Sequence, residues 1–298
     1  MKKKIILDTD IGSDIDDAIT LTYLLCHPDC ELLGVTTMTG EVVKRAMVAD
    51  SIIKHFGRDI PVYPGVSNPI LGPQRQPNCR QAEMLERWPH AKEYRPNYAI
   101  EFIREMVEKY PGEVTLLTVG PATNAGLLLA TYPHVAEGLR EVVQMMGYFT
   151  NNLGTGITSE WNCLCDPVAA AIVYQAKLRR HLSIGLDVTM KTVLPEDVVN
   201  RRFTVPALRP VYEYSIPWFK FKVRQGMIFH DPLAAACIFD DKFCTYKRGT
   251  VSVDLISNDA EFARTNFVEK VDGAHEIAIA VNADRYFEHF FAIVDAGM

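Results

Sequence analysis

Residues Ile5 to Thr20 read IILDTDIGSDIDDAIT, and the reading of this stretch decides the fold. The apolar run Ile5-Ile6-Leu7 ends in Asp8, and Asp10, Asp14, Asp16 and Asp17 follow with Gly12 among them. A strand buried on both faces of a parallel sheet reads as such a run. Beyond it, DDAITLTYLLCHP has helical character up to Pro28. The acidic cluster therefore falls on a strand-to-helix loop at the carboxyl end of the first strand, the edge where open α/β sheets bind ligands. Five carboxylates in ten residues repel one another. A hard divalent cation with oxygen ligands is the simplest way to hold that charge. The positive end of a helix dipole also attracts acids, which by itself accounts for Asp14, Asp16 and Asp17. It does not account for Asp8 and Asp10 at a strand end.

Working outward, Glu31–Thr37 reads as a second strand, Val42–Phe56 as a helix and Ile60–Tyr63 as a short strand. This βαβαβ alternation predicts a parallel sheet with right-handed crossovers. Residues 66–96 break the rhythm with several prolines, mixed charges, Trp88, His90 and Tyr94. A long insertion beside a ligand edge is either a binding loop or a surface excursion. Asn97–Tyr110 reads as a helix and Val114–Val119 as a strand, with a Gly120-Pro121 turn into the next helix. Val142–Met146 is a further strand, followed by a Gly/Asn-rich turn and then Ser159-Glu160-Trp161-Asn162. An acid, an aromatic and an amide in sequence suit a polyol; equally, they suit a loop held by its own caps. Asp166-Pro167 reads as the cap of the following helix. The aromatic-rich stretch Pro210–Gln225 reads mainly as core. Phe229-His230-Asp231-Pro232 opens another helix, Thr250–Leu255 and Glu276–Val281 read as a small peripheral strand addition, and Asp284–Val294 closes the chain. The expectation is an α/β protein in one domain, 1–298, with a mostly parallel, Rossmann-like open sheet flanked by helices.

The totals narrow the function. A chain of 298 residues with 48% hydrophobic and 23% charged residues can build a large core without disulfides. A net charge of −6 argues against a nucleic-acid backbone binder. The basic start has too few apolar residues before Asp8 to read as a signal peptide, and no stretch is apolar enough to span a bilayer. Seven irregularly spaced cysteines form no four-ligand zinc pattern and predict free thiols in the cytoplasm.

Taken together, five separated motifs resemble the nucleoside hydrolase family of the inosine-uridine preferring type. They are ILDTDIGSDIDDA at 6–18, GVTT at 34–37, VGPATNAG at 119–126, EWN at 160–162 with DP at 166–167, and HDPLAAA at 230–236. The resemblance implies calcium-dependent hydrolysis of ribonucleosides to base and ribose, by a homodimer or homotetramer. It implies Ca²⁺ held by Asp10, Asp17, the Val119 carbonyl and Asp231, with Asp10 also activating the attacking water. Asp16 would bind the ribose hydroxyls, Glu160 and Asn162 the rest of the sugar with Trp161 between them, and His230 would assist the leaving base. Four departures bear on this. The first motif is DxDxGxDxDD instead of DxDxGxDD, so Asp14 could take the place of Asp16. Glu41 stands near the ribose where the family usually has Asn. The 66–96 segment lacks the family's glycine-rich, His-containing pattern, with His90 as a possible substitute. The Asn six residues before EWN is Gly154 here, with Asn151 and Asn152 nearby. Two other readings remain: a non-catalytic nucleoside- or sugar-binding relative with a retained metal site, and an aspartyl-phosphate phosphatase using Asp8, whose signature Gly12 breaks.

Overall fold

The computed structural model describes every residue except 1, 151, 152, 155, 222–225 and 258–261, together with the backbone alone at 217–221. Nine strands form one sheet: β1 (Lys3–Thr9), β2 (Cys30–Thr37), β3 (Val62–Pro64), β4 (Val114–Thr118), β5 (Glu141–Gln144), β6 (His181–Ser183), and, further on, β9 (Cys244–Val253), β10 (Thr265–Glu269) and β11 (His275–Val281). Between these, β7 (Val193–Pro195) and β8 (Gly226–Ile228) make a separate antiparallel pair. The spatial order is β10-β9-β11-β6-β5-β4-β1-β2-β3. From β3 to β11 every pairing is parallel, and β9 and β10 extend the far edge antiparallel.

β1 is central because its sequence can be buried on both faces. Ile5 and Leu7 point into one core with Ala18, Ile19 and Leu233, while Ile6 points into the other with Phe102, Leu116 and Ala125. The chain runs from β1 outward to β2 and β3, then returns to β4 on the opposite side of β1. The connections after β1 and β4 therefore leave in opposite directions, which opens a crevice at their carboxyl ends.

The sheet departs from the sequence reading at its far side. Glu276–Val281 was expected in the peripheral addition, but β11 is a parallel member of the main sheet beside β6. β10 carries no alternation strong enough to mark it as a strand. Tyr214 is core, bonded through its hydroxyl to Ser51 Oγ at 2.6 Å; the side chains of Trp218, Phe219 and Phe221 lie outside the described residues.

Asp8 belongs to the framework. It lies opposite Thr36 on β2 and Thr118 on β4. Its carboxylate accepts from Thr36 Oγ1 at 2.6 Å, Asn124 Nδ2 at 2.8 Å and Thr118 Oγ1 at 3.4 Å. Burial pushes its pKa up to about 7 against the pull of these donors. Fully enclosed and committed to three partners, it cannot serve as a nucleophile, and the phosphatase reading falls with it. Asn124 also donates to Thr37 O at 3.1 Å and accepts from Val66 N at 3.0 Å, so one amide joins the ends of β1, β2 and the 66–96 segment. Asn124→Ala removes one of three donors from the buried Asp8 carboxylate and leaves Val66 N without its acceptor, and should cost on the order of 2 kcal/mol, read from urea unfolding.

Candidate active site

The crevice holds a cavity of about 600 Å³. Two helices begin at its floor, and both are buried along nearly their whole length: Asp16–Cys26 and His230–Phe239. Asp16 and Asp17 open the first, and Asp231 is the second residue of the other. The helices pack against each other, so their first turns meet, and oxygens of Asp16, Asp17 and Asp231 lie within 4.8 Å of one another. All three side chains are buried. Thr9 Oγ1 donates to Asp17, and Ile11 N donates to Thr9 Oγ1 at 3.1 Å. Asp231 N reaches Asp16 Oδ2 at 3.4 Å.

Asp10 lies just past the end of β1 in the same cavity, outside this trio, with Oδ2 accepting from Gln76 Nε2. Burial raises the pKa values of Asp10, Asp17 and Asp231 above the ordinary carboxylate value. For Asp17 and Asp231 the neighbouring carboxylates add to it; for Asp10 the Arg45 guanidinium and the Gln76 amide oppose it. A buried set of carboxylate oxygens with no other ligand type suits a hard divalent cation, which would relieve that strain on the charged forms.

The opposite wall comes from the ends of β4 and β5. Asn162 Nδ2 donates to the carbonyls of Val119 at 2.9 Å and Met145 at 3.1 Å. Glu160 caps the helix Trp161–Cys165, accepting from Asn162 N at 2.6 Å, Cys163 N at 3.0 Å and Gly147 N at 3.3 Å. Burial lifts its pKa to about 7 despite these donors. Trp161, 49% exposed, stands at the rim. His230 lines the cavity with Nδ1 at 2.8 Å from Thr189 Oγ1, a contact that fixes its ring. Asp14 lines it too, its Oδ1 accepting from Ile15 N at 2.8 Å.

The sequence model of the inosine-uridine preferring nucleoside hydrolases matches residues 5–288. The chain belongs to that family. It is a hydrolase acting on N-glycosyl bonds. The non-specific ribonucleoside hydrolase RihC of Salmonella paratyphi C is 30% identical over 95% of this chain and 94% of its own length. Its counterpart in Salmonella enteritidis is 29% identical over the same shares. Among solved structures, a plant nucleoside hydrolase shares the fold with a TM-score of 0.84 at 21% identity, covering 99% of this chain and 100% of that one. A purine-preferring ribonucleoside hydrolase from Gardnerella vaginalis follows at 0.82 and 24%, covering 98% of each.

Two expected site residues lie away from this nucleoside hydrolase pocket. Glu41 does not line the cavity; its carboxylate accepts from Cys79 N at 2.9 Å and pairs with Lys44 at 2.5 Å, so it anchors the 66–96 segment. His90 also lies off the cavity, its Nδ1 at 2.7 Å from Trp88 O. Asp166 caps its helix, as the sequence indicates, and also accepts from Thr123 Oγ1 and Ile70 N. Asn151 and Asn152 lie outside the described residues.

The sequence reading passed over Arg45 and Gln76. Arg45 is fully buried and bonds to backbone of both the acidic loop and the 66–96 segment. A signal existed: Arg45 shares a helical face with Val42, Ala46 and Ala49, all of them buried. Gly120 is another quiet requirement. A Cβ there would stand 2.6 Å from Asp10 Oδ1 and 2.7 Å from the Met38 sulfur. Gly120→Ala should therefore push Asp10 aside and lower kcat on a ribonucleoside about 100-fold, as misplacement by about an ångström does. Circular dichroism should show the fold unchanged.

Proposed function

We propose that this enzyme cleaves ribonucleosides to free base and ribose, with Ca²⁺ held by Asp10, Asp17, Asp231 and the Val119 carbonyl. The observation that carries the reading is the convergence of buried Asp16, Asp17 and Asp231 at the starts of two buried helices, with Asp10 and Val119 lining the same cavity. The all-oxygen donor set favours Ca²⁺ over a softer metal. When bound, the cation supplies Lewis acidity toward a water molecule and toward the sugar hydroxyls.

The chain's own residues do the rest. Water adds to C1′ of the ribose and gives a proton to Asp10. The C1′–N bond breaks with its electron pair moving to the base, and His230 donates the proton that neutralises the base. Positive charge grows on the sugar in an oxocarbenium-like transition state. The carboxylate-rich floor, already fixed in place, stabilises that charge. Asp16 bonds the ribose hydroxyls, while Glu160, Trp161 and Asn162 form the wall against the rest of the sugar. The same site would serve a protein that binds nucleosides without turnover, and catalysis distinguishes the two. One domain, cytoplasmic location and assembly as a homodimer or homotetramer complete the proposal.

Removal of the metal tests the core of it. Exhaustive chelation should abolish release of base from ribonucleosides, and Ca²⁺ should restore it. Added Ca²⁺ should also raise the Tm by mass action on the folded state, an effect Asp231→Asn should lose. Full activity in metal-free Asp10→Asn protein would end this reading.

His230 is tested by the leaving group. A purine leaves poorly as an anion, whereas nitrophenolate leaves well. His230→Ala should slow a purine ribonucleoside by about 10²–10⁴-fold, the usual range for a general acid, and nitrophenyl riboside far less. Equal losses on the two would reduce His230 to a packing role beside Asp231.

A further inference from the structure

The 66–96 segment reaches into the pocket through one amide. Gln76 Nε2 donates to Asp10 Oδ2, and Gln76 Oε1 accepts from Trp161 Nε1 at 2.6 Å. An indole N–H can only donate and an ionised carboxylate can only accept. The two partners therefore dictate which end of the amide faces which side.

The backbone behind Gln76 is held just as closely. The guanidinium of Arg45 donates to the Gln76 carbonyl at 3.2 Å and the Asn78 carbonyl at 3.4 Å. On its other side it donates to the carbonyls of Asp10 and Ile11, and to Thr39 O at 2.7 Å. One buried cation thus locks the acidic loop and the Gln76 segment into a single unit, and the Gln76 side chain closes the bridge between them.

We infer that Gln76 is a positioning residue for Asp10 and that the indole N–H of Trp161 sets its orientation. The inference rests on the reading of Asp10 as the acid beside the attacking water. The relay fixes the rotation of the Asp10 carboxylate, whose other oxygen packs against Gly120. It also ties the aromatic rim of the pocket to its reacting acid. A Phe at position 161 would keep the ring and lose the donor. The Gln76 amide could then turn its oxygen toward Asp10, a repulsive contact.

A double-mutant cycle with an independent spectroscopic readout tests this. Gln76→Ala should lower kcat on a ribonucleoside about 10- to 100-fold with KM nearly unchanged, the loss typical of a hydrogen bond to a charged group. Trp161→Phe should lower kcat in the native background and add nothing in the Gln76→Ala background. With ¹⁵N-labelled tryptophan, the indole resonance of Trp161, one of three tryptophans, should move in Gln76→Ala. Gln76→Glu keeps an acceptor for the indole but sets an oxygen against Asp10. Its resonance should stay near the native position while kcat falls at least as far as in Gln76→Ala. Multiplicative losses in the cycle would overturn the relay, as would a resonance that does not move in Gln76→Ala. The resonance does not depend on turnover, so an inactive native enzyme would count against the proposed reaction alone.

Discussion

Like charge confined out of water is the constraint to which the rest of this structure answers. Asp10, Asp16, Asp17 and Asp231 are all buried within one crevice. Two ionised carboxylates about 5 Å apart repel by about 3 kcal/mol at the effective dielectric of a protein. Such a cluster persists only on supports stiff enough to resist relaxation, and both supports here are helices packed on every side. The positive ends of their dipoles favour the same charges. What remains uncompensated is what a divalent cation neutralises, so the stability of the site and its capacity to bind metal have one physical origin.

Arg45 is the second answer to that constraint. Its bonds go to backbone carbonyls and to the Ser13 hydroxyl, not to a carboxylate. Its charge therefore stays available to the field of the cluster, where it favours the ionised forms of Asp10 and Asp17. Placing it costs a buried guanidinium, and its several hydrogen bonds offset that cost. Glu41 completes the arrangement from the solvent side, with its pKa lowered chiefly by the Cys79 N–H and by Lys44. Its expected role toward sugar was an inference from position along the chain. The carboxylate instead turns to the backbone it can reach.

Much of this was legible in the sequence because the patterns were strong. The apolar run before Asp8 fixed β1, and the periodic helices and Gly/Pro turns fixed the parallel order on either side of it. The acid-bearing loop and the EWN wall reach one crevice because parallel strands place every following loop at the same edge, whereas the His230-Asp231 helix start follows β8 of the separate antiparallel pair and arrives there by the packing of its helix on Asp16–Cys26. Distinctions of depth were not legible. Asp8 and Asp10 are two residues apart, yet Asp8 lies inside the sheet between Thr36 and Thr118 while Asp10 lies beyond its end. Only register against neighbouring strands separates a framework acid from a site acid, and a single strand does not carry that register. For the same reason the 66–96 segment was opaque. Its place is set by bonds to Gly40, Glu41, Arg45 and Asn124, none of them local.

The EWN wall shows why framework and site resist separation in this fold. Glu160 spends its oxygens on three backbone N–H groups, and Asn162 spends its amide nitrogen on the ends of two strands. The carbonyl of Val119 is thereby aimed by Asn162 before any ligand arrives. Val119 N in turn donates to Asp8 O at 2.9 Å, which joins the end of β4 to β1. A chain of bonds therefore runs from the Glu160–Asn162 wall of the cavity, through the β4 end, to the strand that carries the acids. The distance from the EWN wall to the acid-bearing loop is therefore tied to the spacing of β5, β4 and β1, about 4.8 Å per strand. That spacing does not relax when a side chain is changed, and it is why a site assembled from loops can be as rigid as one built on the strands.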